Sequence, residues 1–495
     1  MAPPLAVQVE ELTAENKRLS LRVKALEKEL YGSRADRRKP EDPAQATLEG
    51  IEEGLEEIES PPTDEKKPVR TERKGRKKGP KPINPDLPRV NERVEDPDLE
   101  DLICPVTGEL MKPVFTEKVE VLARKPAEYY VRVLERQVFA STHGDSMAYS
   151  PWPSEAMPKS RIDSSILGSI LCARFADHQP YYRQSQQLAR QGVDLAPNTI
   201  GALVGLAEER LEPVYREVVR QTLAEGYLMM DPTPVRLQSD HKQGSTTQAS
   251  LWTYRALDGP VFFEFATGKC GTTPAHTLKD YQGILQTDGA SNFGGVPERE
   301  DIVHMACWAH ARRYFVKAEE NGDKRASEYL DIIDRLFRRE RIMRRFGLKD
   351  ESVLEMRRRF SLPAVDALFE KAKGFASEER MRKTPLPKAI AYLLGRVGPL
   401  RECFLHAPSR IDNNLAENAL RPIKLGAKNW LFIGHENAGP RAAMMFTLTE
   451  NCRILGINPE EYFIDVLSRV DDHPASAIAE LTPHGWKQSK NEPAS

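Results

Sequence analysis

The chain has 495 residues, 29% of them charged, with 72 Lys and Arg against 74 Asp and Glu and a formal net charge of −2. That length accommodates about three domains with ample core, while so even a balance neither marks nor excludes a nucleic-acid partner. No run of about 18 apolar residues occurs and the start lacks a charged segment followed by an apolar one, so neither a membrane span nor a secretory leader is expected. The six cysteines (Cys104, Cys172, Cys270, Cys307, Cys403 and Cys452) are scattered without a CxxC pair. Free thiols in a reducing cytoplasm are the expectation.

Residues 1–31 carry a heptad. Leu5, Leu12, Leu19 and Leu26 sit seven apart, as do Val9, Asn16, Val23 and Leu30. Leucine at d, with two valines and one asparagine among the four a positions, describes a two-stranded zipper, hence a homodimer or a larger assembly built from dimers. Residues 32–86 read as a disordered linker. Its 41–60 stretch holds eight acids and no base, and 64–81 holds nine Lys or Arg and three acids. Arg73, Lys74, Arg76, Lys77 and Lys78 could grip phosphates without sequence preference, or form a solvated linker.

Residues 87–155 alternate as a β-rich module, and 156–224 read as helices. Within the latter, a helix, a turn containing Gly192 and a second helix opening at Pro197 give a helix-turn-helix outline. From 226 the pattern changes. "YLMMD", "ASLWTYRAL" and "GPVFFEFATG" are strand candidates, "PAHTLKDYQ" a helix, "GILQTDG" a fourth strand, and "VHMACWAHARRYFVKAEE" a helix. This is a mixed α/β core over 225–435, with a helical, Arg-rich insertion at 318–400. Residues 436–475 form a C-terminal element and 476–495 a tail.

In "GYLMMDPTPV" an apolar strand ends on Asp231, and Pro232 and Pro234 are expected to stop it there. Asp288 in "LQTDGAS" repeats the arrangement. Glu417 in "IDNNLAENALRPIK" lies on a short helix expected from about 414 to 420, capped by Asn413 or Asn414 and ended by Pro422. Two strand-end aspartates and a helix-borne glutamate can hold two Mg²⁺ or Mn²⁺ ions for phosphoryl transfer. His304, Cys307 and His310 are spaced by three, but a zinc site needs a fourth ligand, so no zinc is expected.

"LQTDG", "CWAHARRYF", "IDNNLAENALRPIKLGAKNWLF" and "GINPEEYFIDVL" resemble the large transposase of the insertion-sequence-66 family over residues 75–470. The resemblance implies a ribonuclease-H-like catalytic core with a helical insertion, an N-terminal coiled coil, and cleavage and joining of DNA at the ends of a mobile element. The family's acidic residues fall on Asp231, Asp288 and Glu417. By the same likeness His310, Arg312 and Arg313 face the scissile phosphate. Arg421, Lys424 and Lys428 either clamp phosphates or are surface charge, and Trp430 and Phe432 either stack on a displaced base or pack in the core. The DNA partners would be element ends and target, with small accessory proteins of the same element as further partners and a bacterial, nucleoid-associated cytoplasmic location.

The family's paired-cysteine zinc region is reduced here to Cys104 in "CPVTGEL". "FASTHGDSMAYS" holds only His143, so a module without zinc ligands is expected. Pro232, Ala290 and Ala427 also depart from the family pattern. Two alternatives use the same residues: a nuclease that cuts without joining, and a retired DNA-binding dimer acting as a repressor.

Overall fold

The computed structural model describes residues 129–131, 133, 138–140, 147–149, 162–238, 245–268, 271–289, 293, 295–378 and 384–491. The expected zipper, the linker with its basic cluster from Arg73 to Lys78, and Cys104 lie outside the described residues. The chain divides into two units, Pro62–Glu135 and the remainder, and every element below belongs to the second. Among the described residues no helix is long and apolar enough to cross a membrane.

Strands β1 (Val138–Ala140) and β2 (Met147–Tyr149) pair antiparallel. Helix α1 (Ser164–Phe175) starts at Asp163, whose carboxylate accepts the Ser165 N–H at 2.9 Å. Helices α2 (Tyr181–Ala189) and α3 (Pro197–Leu223) follow, and Gly192 takes the turn between them at φ +82°. Five strands then build a mixed sheet: β3 (Tyr227–Gln238), β4 (Thr246–Ala256), β5 (Val261–Ala266), β6 (Gly283–Thr287) and β7 (Ile302–Ala306). Their order is β5–β4–β3–β6–β7. The first three are antiparallel, and β6 and β7 run parallel to β3. Helix α4 (Thr272–Thr277) connects the two halves.

The rest is helical. Helices α5 (Trp308–Glu320), α6 (Ala326–Arg345), α8 (Leu362–Glu378), α9 (Pro385–Leu394) and α10 (Val397–Glu402) share a core around Trp308, Phe315, Leu336, Phe369, Leu393 and Phe404, and the short α7 (Asp350–Met356) between α6 and α8 has no buried residue. Helices α11 (Asn414–Trp430), α12 (Ala438–Leu455), α13 (Pro459–Arg469) and α14 (Pro483–Asn491) complete the chain. Leu211, Val214 and Val218 of α3 join Phe446 and Leu448 of α12 and Phe463 of α13 in one core. Helix α12 also seals the outer edge of β5. Thr447 Oγ1 accepts the Phe263 N–H at 2.9 Å, and the Asn451 amide exchanges two hydrogen bonds with Val261. An open strand edge is thereby closed.

Three expectations are corrected. Strand β3 does not stop at Asp231 but runs through both prolines to Gln238, pairing Pro232 with Trp252 and Pro234 with Ser250. The reason is edge geometry. The Arg236 carbonyl and the Gln238 N–H face Ile433, away from β4. Pro232 and Pro234 share that parity, so their missing N–H groups point where β6, paired only as far as Met229, no longer runs. Secondly, residues 302–306 form strand β7, not the start of a helix; Ile302 and Val303 extend along β6, and the helix begins at Trp308. Thirdly, α11 passes through Pro422 to Trp430. Proline costs it one rung, while Leu420, Ile423 and Trp430 anchor it in the core.

Candidate active site

Side chains alternate along a strand, so Tyr227, Met229, Asp231 and Thr233 share one face of β3. The Tyr227 hydroxyl donates to Gln286 Oε1 at 2.7 Å, which places Gln286 of β6 on the same face. Asp288 follows two residues later, one step beyond the end of β6. Helix α11 lies across this face: Ala416 packs with Tyr227 and Met229. Asn413 Nδ2 donates to the Met230 carbonyl at 3.0 Å. Glu417 therefore arrives in the first turn of α11, over the strand that carries Asp231. Asn413 is the N-cap residue of α11, but its side chain makes no capping bond; instead Asp412 Oδ1 accepts the Asn414 N–H at 3.2 Å.

Asp231 and Glu417 are buried and Asp288 is half-buried. The Asp231 carboxyl is held well above the usual carboxylate range. Burial is the main cause, followed by the negative charges of Asp288 and Glu417, while Lys424 and Arg313 pull the other way. The three acids thus feel one another across the face.

Glu417 has a partner on the opposite wall. Arg313 of α5 donates to Glu417 Oε1 at 2.9 Å, and His310 Nδ1 lies 3.5 Å from the same oxygen. Among the described residues, the metal-ligating types whose donor atoms all lie within 4.8 Å of one another are Cys307, His310 and Glu417, not the three carboxylates. Like charges spread, and Arg313 draws Glu417 toward α5. This trio is one ligand short of a structural zinc site. Burial, Glu417 and Asp412 all push the Cys307 thiol up, which disfavours a thiolate ligand, and its sulfur already accepts the Asn413 N–H at 3.2 Å. His304 turns away and meets Thr287 Oγ1 at 3.0 Å.

The remaining expected residues divide. Lys424 acts on Asp231. Arg421, Lys424 and Lys428 follow Glu417 at steps of four, three and four, which places all four residues on one stripe of α11. Arg312 does not join His310 and Arg313. Its guanidinium pairs with Asp334 of α6 at 2.6 Å, because adjacent helical residues point in different directions. Trp430 is buried against Phe446 and is not available to stack on a base. Phe432, two residues on, is exposed. Arg73, Lys74, Arg76, Lys77, Lys78 and the zipper positions lie outside the described residues.

Sequence reasoning missed the residues that hold the Asp288 turn. Tyr392 of α9 donates to the Asp288 carbonyl at 2.6 Å, and Arg396 Nε to the Gly289 carbonyl at 2.7 Å. The "TDG" signal gave the turn, since Gly289 adopts φ +82°. Nothing local to Tyr392 marked it as a partner across more than one hundred residues.

Residues 159–441 match the Transposase IS66 family, 447–484 the IS66 C-terminal element, and 18–91 the Transposase C of IS166 homeodomain. Similar proteins occur in Sinorhizobium fredii. The uncharacterized protein y4hP is 28% identical over 518 residues, covering 95% of this chain and 89% of that protein. The uncharacterized protein y4qI is 26% identical over 493 residues, covering 94% and 88%.

Proposed function

The chain belongs to the IS66 transposase family, and on that premise we propose that Asp231, Asp288 and Glu417 are the metal-binding carboxylates of a DDE transposase. It would cut the ends of its element and join them to target DNA. The observation that carries the reading is the placement of Glu417, in the first turn of α11, over the strand that bears Asp231, next to the strand β6 that leads into Asp288; burial and the other two carboxylates raise the proton affinity of Asp231 accordingly. A buried acid that feels the negative charge of two further carboxylates is stabilised by a cation from outside. The order of the sheet, three antiparallel strands and then two parallel to the first, supports a ribonuclease-H-like core with an inserted helical segment.

The donors are hard oxygens, which favour Mg²⁺ or Mn²⁺ over zinc. Asp231, Asp288 and Glu417 would hold two such ions, which when bound supply activation of the attacking oxygen and stabilisation of the leaving one. Glu417 would exchange its hydrogen bond from Arg313 for that role, freeing the guanidinium to pair with a phosphate. Arg421, Lys424 and Lys428 continue the cationic stripe along a DNA backbone. In the first step a water oxygen bonds to phosphorus at the element end, and the 3′-oxygen leaves and gains a proton. In the second, that 3′-hydroxyl loses its proton, bonds to a target phosphorus and expels the target's 3′-oxygen. Two copies paired through the zipper at 1–31 would bring two ends together, and the match over 18–91 supports a DNA-binding role for the N-terminal region.

The test is cleavage and joining of a labelled element-end duplex in Mg²⁺ by the native protein and by Asp288→Asn. The variant is expected to lose about 10³-fold in cleavage rate, equivalent to about 4 kcal/mol. Equal binding of the duplex with no cutting by either protein would sink the catalytic reading in favour of a repressor. Cutting without joining would leave a nuclease.

A further inference from the structure

The turn carrying Asp288 is gripped from outside the sheet. Two adjacent carbonyls, those of Asp288 and Gly289, accept hydrogen bonds from Tyr392 and Arg396. Arg396 lies over the Tyr392 ring at 4.1 Å, and Tyr314 of α5 stacks on that ring at 4.7 Å. The approach is close enough that a Cβ on Gly289 would collide with the Arg396 side chain. From the sheet side, Thr287 Oγ1 accepts the Gly289 N–H at 3.0 Å. The grip fixes the Asp288–Gly289 peptide plane on one side of the Asp288 Cα, and β6, paired with β7 as far as Thr287, holds the chain on the other side; together they restrict the direction of the Asp288 Cα–Cβ bond.

The same helical segment holds the approach to Glu417. Arg357, which follows α7, is buried and donates to Ser409 Oγ at 3.0 Å and to the carbonyls of His406 and Ser409 at 2.6 and 2.8 Å. Ser409 stands just before Asp412 and the start of α11. The segment thus contacts the backbone of the Asp288 turn directly and, at Ser409, the chain eight residues before Glu417.

We propose that this helical segment sets the position of Asp288, with Tyr392 and Arg396 as its positioning residues. The inference rests on the metal-dependent reading of that site. Neither side chain is a ligand; each acts through the backbone of the turn. Outer partners that orient a ligand typically change metal affinity 10- to 100-fold when removed.

The experiment is direct binding of Mn²⁺ to the full-length protein, read as loss of the free-ion electron paramagnetic resonance signal. Four variants are compared with the native chain: Asp288→Asn, Tyr392→Phe, Arg396→Met and Arg396→Lys. Tyr329→Phe is the control, because it deletes a hydroxyl of the same segment that reaches the Lys371 carbonyl instead. Tyr392→Phe and Arg396→Met are expected to weaken Mn²⁺ binding about 10-fold, with melting temperatures no lower than the control's. Arg396→Lys, which keeps a donor, is expected to recover part of that loss. If Asp288→Asn binds Mn²⁺ like the native chain, the metal reading fails and takes this inference with it. If Asp288→Asn loses the ion while Tyr392→Phe and Arg396→Met bind it normally, the metal reading survives and the positioning role is overturned.

Discussion

Glu340 in the helical segment and Asp231 in the sheet are both buried carboxylates, 4% and 7% exposed. Glu340 meets Arg357 through two hydrogen bonds of 2.9 and 2.7 Å, and the other guanidinium protons go to Ser409 and nearby carbonyls. Its charge is matched inside the chain. Asp231 has two further carboxylates for neighbours, with Lys424 and Arg313 offsetting only part of their effect. A matched buried charge is architecture, and an unmatched one is an arrangement awaiting a cation. The contrast can be tested by removing one charge from each centre and asking which way stability moves.

The largest change is expected at the matched centre. Arg357→Met leaves Glu340 buried and alone, which typically costs about 3–5 kcal/mol. A urea titration at pH 7 would show it as a lower midpoint. Adding Glu340→Leu to the same chain is expected to recover most of the loss, since an apolar pair can replace a buried ion pair. A single-variant loss below about 1 kcal/mol, the range of exposed pairs, would contradict the matched-charge account.

At the unmatched centre the sign reverses. Asp231→Asn removes a charge that its neighbours oppose, so the variant is expected to be more stable than the native chain in chelator, by about 0.5–2 kcal/mol. Added Mg²⁺ is expected to close the gap, because an ion bound only by the folded state stabilises in proportion to the logarithm of its concentration. A destabilised variant in chelator would show that Asp231 is matched after all.

The two centres also differ in how far the sequence disclosed them. Asp231, Asp288 and Glu417 announce themselves locally: an acid after an apolar run, an Asp–Gly turn, and an acid in the first turn of a helix. That Asp231 shares a face with the strand leading into Asp288 follows from alternation once β3 and β6 are neighbours, whereas Glu417 comes over that face through the packing of α11 on β3. What stayed hidden was non-local. Strand β3 crosses two prolines only because β6 ends where it does, which no reading of "DPTPV" reveals. Strand β7 was hidden because its His304, Met305 and Ala306 suit a helix as well as a strand; the pairing with β6 decides between them. Trp430 and Phe432 look alike in sequence, yet one is core and the other exposed. Arg357 stood in an arginine run, and nothing in that run distinguished the buried one from its solvated neighbours.

Glu208 is a third buried carboxylate, between these extremes. It lies in α3, 5% exposed, with Arg441 Nε of α12 at 3.5 Å from its Oε2. Burial pushes its pKa up to about 7 from 4.5, with Arg441 restraining the rise and Glu209 adding to it. Between those two values the folded chain holds a proton that the unfolded chain has released. Stability therefore falls as pH rises from about 4.5 to about 7 and is level above that. Glu208→Gln keeps the shape without the charge. It is expected to gain at least about 1 kcal/mol more at pH 8, where the native side chain is ionised in the fold, than at pH 5, where the fold still holds it protonated. Urea midpoints at the two pH values decide the matter. An equal gain at both would assign the effect to packing, whereas a loss at pH 8 would mean that Arg441 matches Glu208 as fully as Arg357 matches Glu340.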